Sequence, residues 1–391
     1  MQERRDAPEE TLRRIEPSFD RIGVTRLADL TGLDTIGMPV FAAHRPNARS
    51  LSVTQGKGPT SADAKTSAVM EAVELACAEA PRLPLRLAAS SDLDGSVIDL
   101  DRLPKVEGAN ALDTRCLWTE ARTLSDDEPV WVPYELVHMD YTLPLPPRLG
   151  GFHMTSTGLA SGNTAEEAVT QALAEVIERD AVTLWRLSGE PASQTRIDPK
   201  TVNDPVGTEL LAAFRAAEVG CAIWEITTDL GIPAFFATIV DQASRQSRGL
   251  HAASGSGCHP VRGIALRRAL TEAAQSRLTL ISGARDDRSR DHYREMRNTS
   301  AIEAQRDEIL HGDATQSFAD GASHAVATPT DCQRAMLDAF TAAGVGPAVS
   351  VDLSWPELPA AVVRVIVPGL EGSADAPGYQ PGQRALARGV T

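Results

Sequence analysis

The chain contains two stretches that place acidic side chains on otherwise apolar helices: Ser67-Ala-Val-Met-Glu71-Ala-Val-Glu74 and Glu167-Ala-Val-Thr-Gln171-Ala-Leu-Ala-Glu175-Val-Ile-Glu178. At about 100° per residue, the polar residues of the first stretch fall within about 60° of one another around the helix. The polar residues of the second stretch follow spacings of four, four and three residues and also line one face. We expect the two acidic stripes to face each other.

Facing carboxylates on apolar helices repel one another, and each costs several kcal/mol to remove from water. A buried cluster of this kind is stable only when it is paired with cations. Mg²⁺ is the natural candidate, because it prefers carboxylate and water oxygens and is usually shared with substrate phosphates. A nucleotide would complete its coordination. The alternative is that both stripes are solvated helix faces with ordinary ion pairs.

Composition narrows the class of protein. The 391 residues are 42% hydrophobic and 23% charged, which is typical of a globular chain with ample core for one large or two modest domains. The net charge of -15 disfavours a general binder of nucleic acid, whose affinity depends on clustered Lys and Arg. There is no run of 18 apolar residues to span a membrane, so we predict a cytoplasmic protein. Its five cysteines are scattered, which disfavours a disulfide framework and zinc spacing.

Local patterns predict the elements around the stripes. Residues 39–45 and 51–54 read as strands before a Gly56-Lys57-Gly58 turn, and the first acidic helix follows over about residues 60–80. The second acidic helix begins after Ser161, where Asn163 is a plausible N-cap and Glu166 completes a capping-box-like pattern. Residues 265–281 are predicted to form a third amphipathic helix.

An internal repeat indicates the fold class. Residues 211–220 recur at an offset of 126 residues as 337–346, and each copy reads as helix, Gly, strand, turn, strand. The predicted strands are 221–227 with 233–240, and 347–353 with 361–367. Two αββ units predict an α/β (α+β) fold with mixed or antiparallel sheets flanked by helices.

The chain resembles the YcaO superfamily over about residues 15–370. The residues that carry the resemblance lie in the expected order: Gln55-Gly-Lys-Gly58, Ser67 to Glu74, Ser156 to Asp180, Gly255-Ser-Gly257, Thr271 to Arg277, and Val367-Pro-Gly-Leu-Glu371. The resemblance implies a YcaO-type ATP-binding fold distinct from the P-loop and kinase folds. It also implies an enzyme that phosphorylates a peptide-backbone amide oxygen so that a nucleophile attacks the activated carbon. The products of such enzymes are azolines, amidines or thioamides.

The resemblance also assigns site residues and the cofactors ATP and Mg²⁺. It implies an Mg²⁺ shell of five glutamates: Glu71, Glu74, Glu167, Glu175 and Glu178. It implies phosphate or nucleotide contacts by Lys57, Ser67, Asn163, Arg179 and Arg262, with Glu272 and Gln275 in support. Glu178 and Arg179 are the expected catalytic residues.

Arg179 also has a physical rationale, because a guanidinium stays charged and stabilises negative charge on a transferring phosphoryl group. The alternative for Arg179 is an ion pair with Asp180 or Glu175. Leu75 departs from the family, since many members have Arg after the first Glu-x-x-Glu. Cys258 precedes His259, but phosphoryl transfer needs no covalent nucleophile, so we predict a non-catalytic cysteine.

Both ends of the chain bear on the subtype. Azoline-forming members commonly end in a Pro-x-Pro-x-Pro tail, whereas residues 377–391 lack it. The N-terminal region, with Pro8-Glu-Glu-Thr11 and Gly32-Leu-Asp34, looks like members that work with a TfuA partner and form backbone thioamides. We therefore favour thioamidation of a peptide or protein substrate with a TfuA-like partner that delivers sulfur. An azoline- or amidine-forming cyclodehydratase and a non-catalytic scaffold stay open as alternatives.

We interpret residues 1–391 as a single YcaO domain. Within it, residues 286–323 are charged and punctuated by Gly, which predicts a loop region with a short helix. Residues 372–391 are predicted to form a flexible tail. The resemblance implies a homodimer, and neither a membrane nor a nucleic-acid partner is expected.

Overall fold

The structure is a computed structural model that describes residues 4–106, 115–144, 151–189, 192–242, 251–284 and 299–389. Four helices precede the first half of the internal repeat: α1 (Pro8–Ile15), α2 (Phe19–Ile22), α3 (Ser61–Glu79) and α4 (Ala165–Leu187). The later helices are α5 (Pro205–Ala216), α6 (Arg262–Ser282), α7 (Thr299–His311), α8 (Pro329–Ala343) and α9 (Gln383–Ala387). The three predicted amphipathic helices are therefore present as α3, α4 and α6.

The strands form three sheets. An antiparallel sheet has the order β1 (Arg26–Asp29), β2 (Val40–His44), β3 (Val53–Lys57). A second sheet contains β9 (Arg196–Asp198), β10 (Val219–Glu225), β11 (Ala234–Asp241), β12 (Ala253–Cys258) and β13 (Gln316–Ser317), in the order β12-β11-β10-β9-β13. The largest sheet has seven strands: β4 (Arg86–Ala88), β5 (Ser96–Val97), β6 (Cys116–Thr123), β7 (Pro129–Pro133), β8 (Leu159–Gly162), β14 (Val349–Asp352) and β15 (Ala361–Ile366). The mixed and antiparallel sheets confirm the predicted fold class.

The internal repeat is real and its two copies lie in different sheets. The first copy is α5 followed by the antiparallel pair β10 and β11 in the five-stranded sheet. The second copy is α8 followed by the antiparallel pair β14 and β15 in the seven-stranded sheet. Buried apolar side chains of both copies meet in one core, where Trp224 and Phe236 join Phe340 and Val365. The αββ units thus build two sheets around a shared interior.

Three helices approach the sheets at glycines. A Cβ atom added at Gly56 of β3 would lie 2.0 Å from the backbone nitrogen of Ala68 in α3. At Gly257 of β12 it would lie 2.3 Å from the carbonyl oxygen of Ala265 in α6, and at Gly162, the last residue of β8, 2.7 Å from the nitrogen of Ala168 in α4. Helix and strand backbones are therefore in direct contact, which glycine alone permits.

The second acidic helix begins one residue later than predicted. Thr164, not Asn163, is the N-cap of α4, and its side chain accepts a hydrogen bond from the backbone N–H of Glu167. The prediction of Asn163 as N-cap is wrong, because its side chain is engaged by residues far away in sequence. α3 begins as the sequence indicates, with a capping box between Thr60 and Asp63.

The two segments predicted to be irregular contain structure. Of the predicted loop region 286–323, residues 286–298 lie outside the described residues, and the remainder includes α7 and β13. The predicted tail includes α9 and is held to α4 by hydrogen bonds. All five cysteines are free. Among the described residues, no helix has the length and apolar character that a membrane span requires.

Replacing Gly56 by Ala tests the close packing of α3 on β3. We expect Gly56→Ala to lower the free energy of unfolding by about 2 kcal/mol or more, because the added methyl group would overlap backbone atoms that no rotamer change moves. Urea unfolding followed by circular dichroism measures this change. Gly32→Ala is the matched control, since a Cβ there meets nothing within 4 Å. Equal stability of the two variants would contradict the packing described here.

Candidate active site

Hydrogen bonds from two strands hold the stripe on α3. Glu71 Oε2 accepts a hydrogen bond from the backbone N–H of Gln55 in β3, at 3.0 Å. Glu74 Oε1 accepts from both the backbone N–H and the hydroxyl of Ser161 in β8, each at 2.8 Å. Ser67 lies half-buried one turn before Glu71. The stripe therefore faces the edge strands of two different sheets.

The stripe on α4 contributes two carboxylates and a guanidinium to the same region. Arg179 Nη2 lies 3.7 Å from Glu175 Oε1 and 3.7 Å from Glu178 Oε1. Glu178 Oε1 accepts a hydrogen bond of 2.6 Å from the hydroxyl of Ser256 in β12. The sequence offered an ion pair of Arg179 with Glu175 or Asp180, and the structure pairs it with Glu175 and Glu178.

Lys57 at the end of β3 and Glu272 on α6 complete the cluster. Lys57 Nζ lies 3.1 Å from Glu272 Oε2, joining the end of β3 to α6. The backbone N–H of Ser256 donates to Glu272 Oε1 at 3.4 Å, so Glu272 and Glu178 share one residue of β12. Gln275, one turn further along α6, donates to the carbonyl of Gln55. The sequence predicted Glu272 and Gln275 only as supporting residues, but Glu272 belongs to the cluster itself.

Burial raises the pKa of three of the clustered carboxylates. Burial raises the pKa of Glu74 to about 8 despite the hydrogen bonds from Ser161. Burial raises the pKa of Glu175 to about 7, although Arg179 opposes the shift. The pKa of Glu178 is also raised by burial. Burial would raise the pKa of Glu272 too, but Lys57 and Arg179 outweigh it and lower the pKa. The site therefore has an excess of negative charge that a bound cation would neutralise.

Glu167 and Asn163 form a separate group at the start of α4. Glu167 lies eight residues before Glu175, about 12 Å along the helix. Its carboxylate accepts hydrogen bonds from the backbone N–H and the amide of Asn163, at 2.8 and 3.1 Å, and from the backbone N–H of Arg5. Asn163 Oδ1 accepts from Thr11 Oγ1 at 2.8 Å and from Arg14 Nη2 at 2.6 Å. The N-terminal helix α1 therefore covers this end of the acidic stripe.

Arg262 does not join the cluster. It is the first residue of α6, ten residues and about 15 Å from Glu272. Its guanidinium makes a bidentate pair with Glu225, at 2.6 and 2.7 Å, and Nε donates to the carbonyl of Phe318. The ring of Phe235 packs against the guanidinium at 4.8 Å. These contacts occupy the donors of Arg262, so they do not support its prediction as a phosphate ligand.

Sequence reasoning missed two arginines near the carboxylates. Arg268 precedes Glu272 by four residues on α6 and donates to the carbonyl of Cys258 at 3.1 Å. It lines a cavity with Arg4, Glu167 and Gln171. The i, i+4 spacing to Glu272 is the signal that would have found it. Arg364 is fully buried in β15, and its donors reach the carbonyls of Val137, Thr155 and Thr157.

Cys258 and His259 have structural roles. Cys258 is buried, and burial raises the pKa of its thiol well above the usual range. His259 Nδ1 accepts a hydrogen bond of 2.9 Å from the backbone N–H of Val261. Burial lowers the pKa of His259 to about 3, so the imidazole is neutral. A buried thiol with a raised pKa is a poor nucleophile, which agrees with the prediction of a non-catalytic Cys258.

The donor set fits Mg²⁺ when phosphates share the ion. Within the described ranges, no group of three or more His, Cys, Asp or Glu side chains is arranged to hold a metal ion. The glutamates instead stand along two helices, so they supply charge and single oxygen ligands. Mg²⁺ commonly takes one or two carboxylates and completes its octahedron with waters and substrate phosphates. The cluster has the composition for that mode of binding.

Comparisons with known sequences point the same way. The model of the YcaO family, described as a cyclodehydratase that binds ATP and Mg²⁺, matches residues 55–371. A protein of Rhizobium leguminosarum bv. trifolii encoded in the tfuA 3' region is 38% identical over 386 residues, covering 97% of this chain and 91% of the relative. A protein of Methanothermobacter thermautotrophicus is 38% identical over 291 residues, covering 73% of each chain.

Solved structures share the fold. A YcaO protein of Methanopyrus kandleri bound with AMPPCP and Mg²⁺ superimposes with a TM-score of 0.76 at 23% identity, covering 97% of this chain and 96% of the other. A heterocyclase in complex with substrate and cofactor also gives a TM-score of 0.76 at 22% identity, and the match covers 94% of this chain and 53% of the heterocyclase chain. At these identities the likeness concerns the fold.

The raised pKa values predict how stability depends on pH. The pKa values of Glu74 and Glu175, about 8 and about 7, lie above the 4.5 of an ordinary glutamate. The folded metal-free protein therefore holds more protons than the unfolded chain, and these two groups make the free energy of unfolding fall as pH rises from about 5 to about 8. We expect Glu74→Gln, which cannot ionise, to gain stability relative to wild type across this range. Urea unfolding in a chelator at three pH values measures the difference, and a difference that is constant with pH would contradict the argument.

A second prediction separates Arg262 from the cluster. We expect Arg262→Gln to destabilise the fold by about 2 kcal/mol or more, because it leaves the Glu225 carboxylate, 20% exposed, without its partner. The affinity of the folded protein for Mg²⁺·AMPPCP should stay within about twofold of wild type, as measured by calorimetry. Arg267→Gln, on the same helix and paired with Asp204, is the control and should cost less, since Arg267 is 33% exposed. A loss of nucleotide affinity without a loss of stability would restore the phosphate-ligand role.

Proposed function

The chain belongs to the YcaO family, whose model covers residues 55–371 and is described as ATP- and Mg²⁺-binding. From this premise we propose that it activates a peptide-backbone amide for thioamide formation together with a TfuA-like partner. The observation that favours thioamidation is the relative encoded in the tfuA 3' region, which is 38% identical over 97% of this chain. The family match confirms ATP and Mg²⁺ as the predicted cofactors at the level of the family.

The proposed division of roles follows the contacts. Glu71, Glu74, Glu175 and Glu178 would each offer single oxygen ligands to Mg²⁺ ions shared with the phosphates, and Glu167 would do so at the start of α4. Lys57, Ser67 and Asn163 are proposed to contact the nucleotide. When bound, ATP supplies the phosphoryl group that makes the amide oxygen a leaving group, and Mg²⁺ neutralises the phosphate oxygens.

Arg179 is the residue proposed to act on the reacting phosphoryl group. Burial lowers the pKa of Arg179, but the carboxylates of Glu178, Glu175 and Glu272 raise it by more than burial lowers it. The guanidinium therefore stays charged. The distances from Arg179 Nη2 to Glu175 and Glu178 are both 3.7 Å, which is longer than a hydrogen bond. The guanidinium can therefore turn toward a phosphoryl group. A fixed positive charge beside the transferring group stabilises the negative charge that develops on it.

The overall reaction consumes an amide, ATP and hydrosulfide and yields a thioamide, ADP and phosphate. The chain supplies a place for the nucleotide, and the TfuA-like protein is proposed to supply the sulfur. The substrate is a peptide or protein whose backbone amide reaches Arg179. The homodimer implied by the resemblance stays a prediction.

The test combines nucleotide turnover with peptide mass analysis. Wild type and Glu178→Gln are incubated with Mg²⁺, ATP, sulfide, a TfuA-like protein of the same organism and peptides encoded by neighbouring genes. We expect wild type to increase the peptide mass by the difference between S and O while releasing ADP, and Glu178→Gln to lower the rate by about 100-fold or more, because a carboxylate near the reacting phosphates becomes neutral.

Glu209→Gln is the matched control, because it makes the same chemical change at an exposed position of α5. It should leave turnover unchanged. Loss of one water from the peptide would instead identify a cyclodehydratase. ATP turnover and mass change that are both absent in wild type would favour a scaffold and count against the proposal.

A further inference from the structure

The C-terminal segment is docked along the helix that carries the proposed catalytic residues. We call residues 371–389 the C-terminal strap. Thr183 Oγ1 on α4 donates to the carbonyl of Gly372 at 2.7 Å and accepts from the backbone N–H of Ala374 at 3.2 Å. One turn further, Arg186 pairs with Asp375. The strap therefore follows the second half of α4.

The central contact of the strap is made by Arg384 and Asp180. Asp180 is fully buried and directly follows Arg179 on α4. Its carboxylate accepts hydrogen bonds from Arg384 Nε at 3.0 Å, from Arg384 Nη2 at 3.1 Å and from the backbone N–H of Glu371 at 2.9 Å. The guanidinium thus holds a fully buried carboxylate in a bidentate arrangement, which fixes its orientation as well as its charge.

Arg384 binds a second carboxylate on another part of the fold. Its Nη1 and Nη2 donate to Asp229 at 3.0 and 2.6 Å, in the turn that joins β10 to β11. Arg388, the residue just after α9, also donates to Asp229, at 3.2 Å, but does not bond to Asp180. Arg384 therefore ties α4 to the β10–β11 hairpin, whereas Arg388 only ties the strap to the hairpin.

The strap is closed on itself by a second buried carboxylate. Glu371 is 4% exposed, and its side chain accepts hydrogen bonds from the hydroxyl of Tyr379 and the backbone N–H groups of Gly382 and Ala385. These bonds, each between 2.7 and 2.9 Å, fix the start of α9 relative to the point where the strap leaves α4. The hydrogen bonds to Glu371 therefore fix the position of Arg384 relative to Asp180.

Helix geometry connects this anchor to the cluster. Adjacent residues of an α-helix are separated by about 100° around its axis, so Asp180 and Arg179 project from neighbouring faces of the same turn. A rotation of α4 by about 10° would move a side-chain tip about 6 Å from the axis by about 1 Å. A displacement of that size at a reacting group is enough to lower a rate by about 100-fold.

We propose that Arg384 is a positioning residue: through Asp180 it sets the rotation of α4 and thereby the placement of Arg179 for phosphoryl transfer. The proposal rests on the ATP-dependent part of the proposed function and not on the identity of the peptide product. It assigns a role in the reaction to the C-terminal strap, which does not itself contribute a group to the cluster.

The test measures ATP turnover and nucleotide binding in Arg384→Ala, with Arg388→Ala as the matched control on the same strap. We expect Arg384→Ala to lower kcat for ATP by about 10-fold or more, while KM for ATP and the affinity for Mg²⁺·AMPPCP stay within about twofold. Arg388→Ala should leave all three unchanged. Arg384→Lys, which keeps one charge on Asp180 without the bidentate geometry, should recover part of kcat.

Several outcomes would overturn the inference. Equal kcat values for Arg384→Ala and Arg388→Ala, or a kcat that falls only in proportion to the AMPPCP-binding fraction, would show that Arg384 merely supports the fold. If Arg384→Ala does not fold, Arg384→Lys decides: wild-type kcat refutes the proposal, and reduced kcat with unchanged AMPPCP affinity supports it. Absence of ATP turnover in wild type would refute the proposed function, and this inference with it. Turnover with another peptide product would refute thioamidation alone.

Discussion

Burial of carboxylates between three helices is the constraint on which the site depends. Removing a charged carboxylate from water costs several kcal/mol, and Glu74, Glu175 and Glu178 respond by holding their protons more tightly. Two cations lie within ion-pair distance of three carboxylates of the cluster: Lys57 lies beside Glu272, and Arg179 lies beside Glu175 and Glu178. The excess of carboxylates over cations lowers the stability of the ligand-free protein and favours the binding of additional cations.

Such a cluster requires a scaffold that holds its helices close without large side chains between helix and strand. Gly56, Gly162 and Gly257 provide this, because each lies where a helix backbone touches a strand. The helix residues at these contacts are alanines: Ala68 on α3, Ala168 on α4 and Ala265 on α6. Small residues on both sides shorten the distance between backbones, so the carboxylates one to three turns further along these helices converge. The low hydrophobic bulk of these helices is therefore a requirement of the site.

The sequence predicted the parts of this arrangement that depend on local periodicity. The stripes on α3 and α4 and the helix α6 follow from local spacing, and the two αββ units follow from a repeat at an offset of 126 residues. The family resemblance assigned the site residues between them. Contacts between distant residues were not predictable in this way. Arg364 reaches Val137, 227 residues away, and Asn163 meets Thr11, 152 residues away. The pair between Arg262 and Glu225 was likewise not predictable, because an arginine at the start of a helix looks the same in sequence whether it meets a phosphate or a carboxylate.

The length of the α4 stripe bears on what the site is built to bind. Glu167 and Glu178 are eleven residues apart, about 16 Å along the helix, whereas Mg²⁺ holds its ligands at about 2.1 Å. One ion cannot bring both ends together, so a ligand that uses the whole stripe must itself be extended and anionic, with cations between it and the carboxylates. A chain of phosphates meets that description. Guanidinium groups lie at both ends of this stripe, since Arg268 lines the cavity beside Glu167 and Arg179 lies beside Glu178.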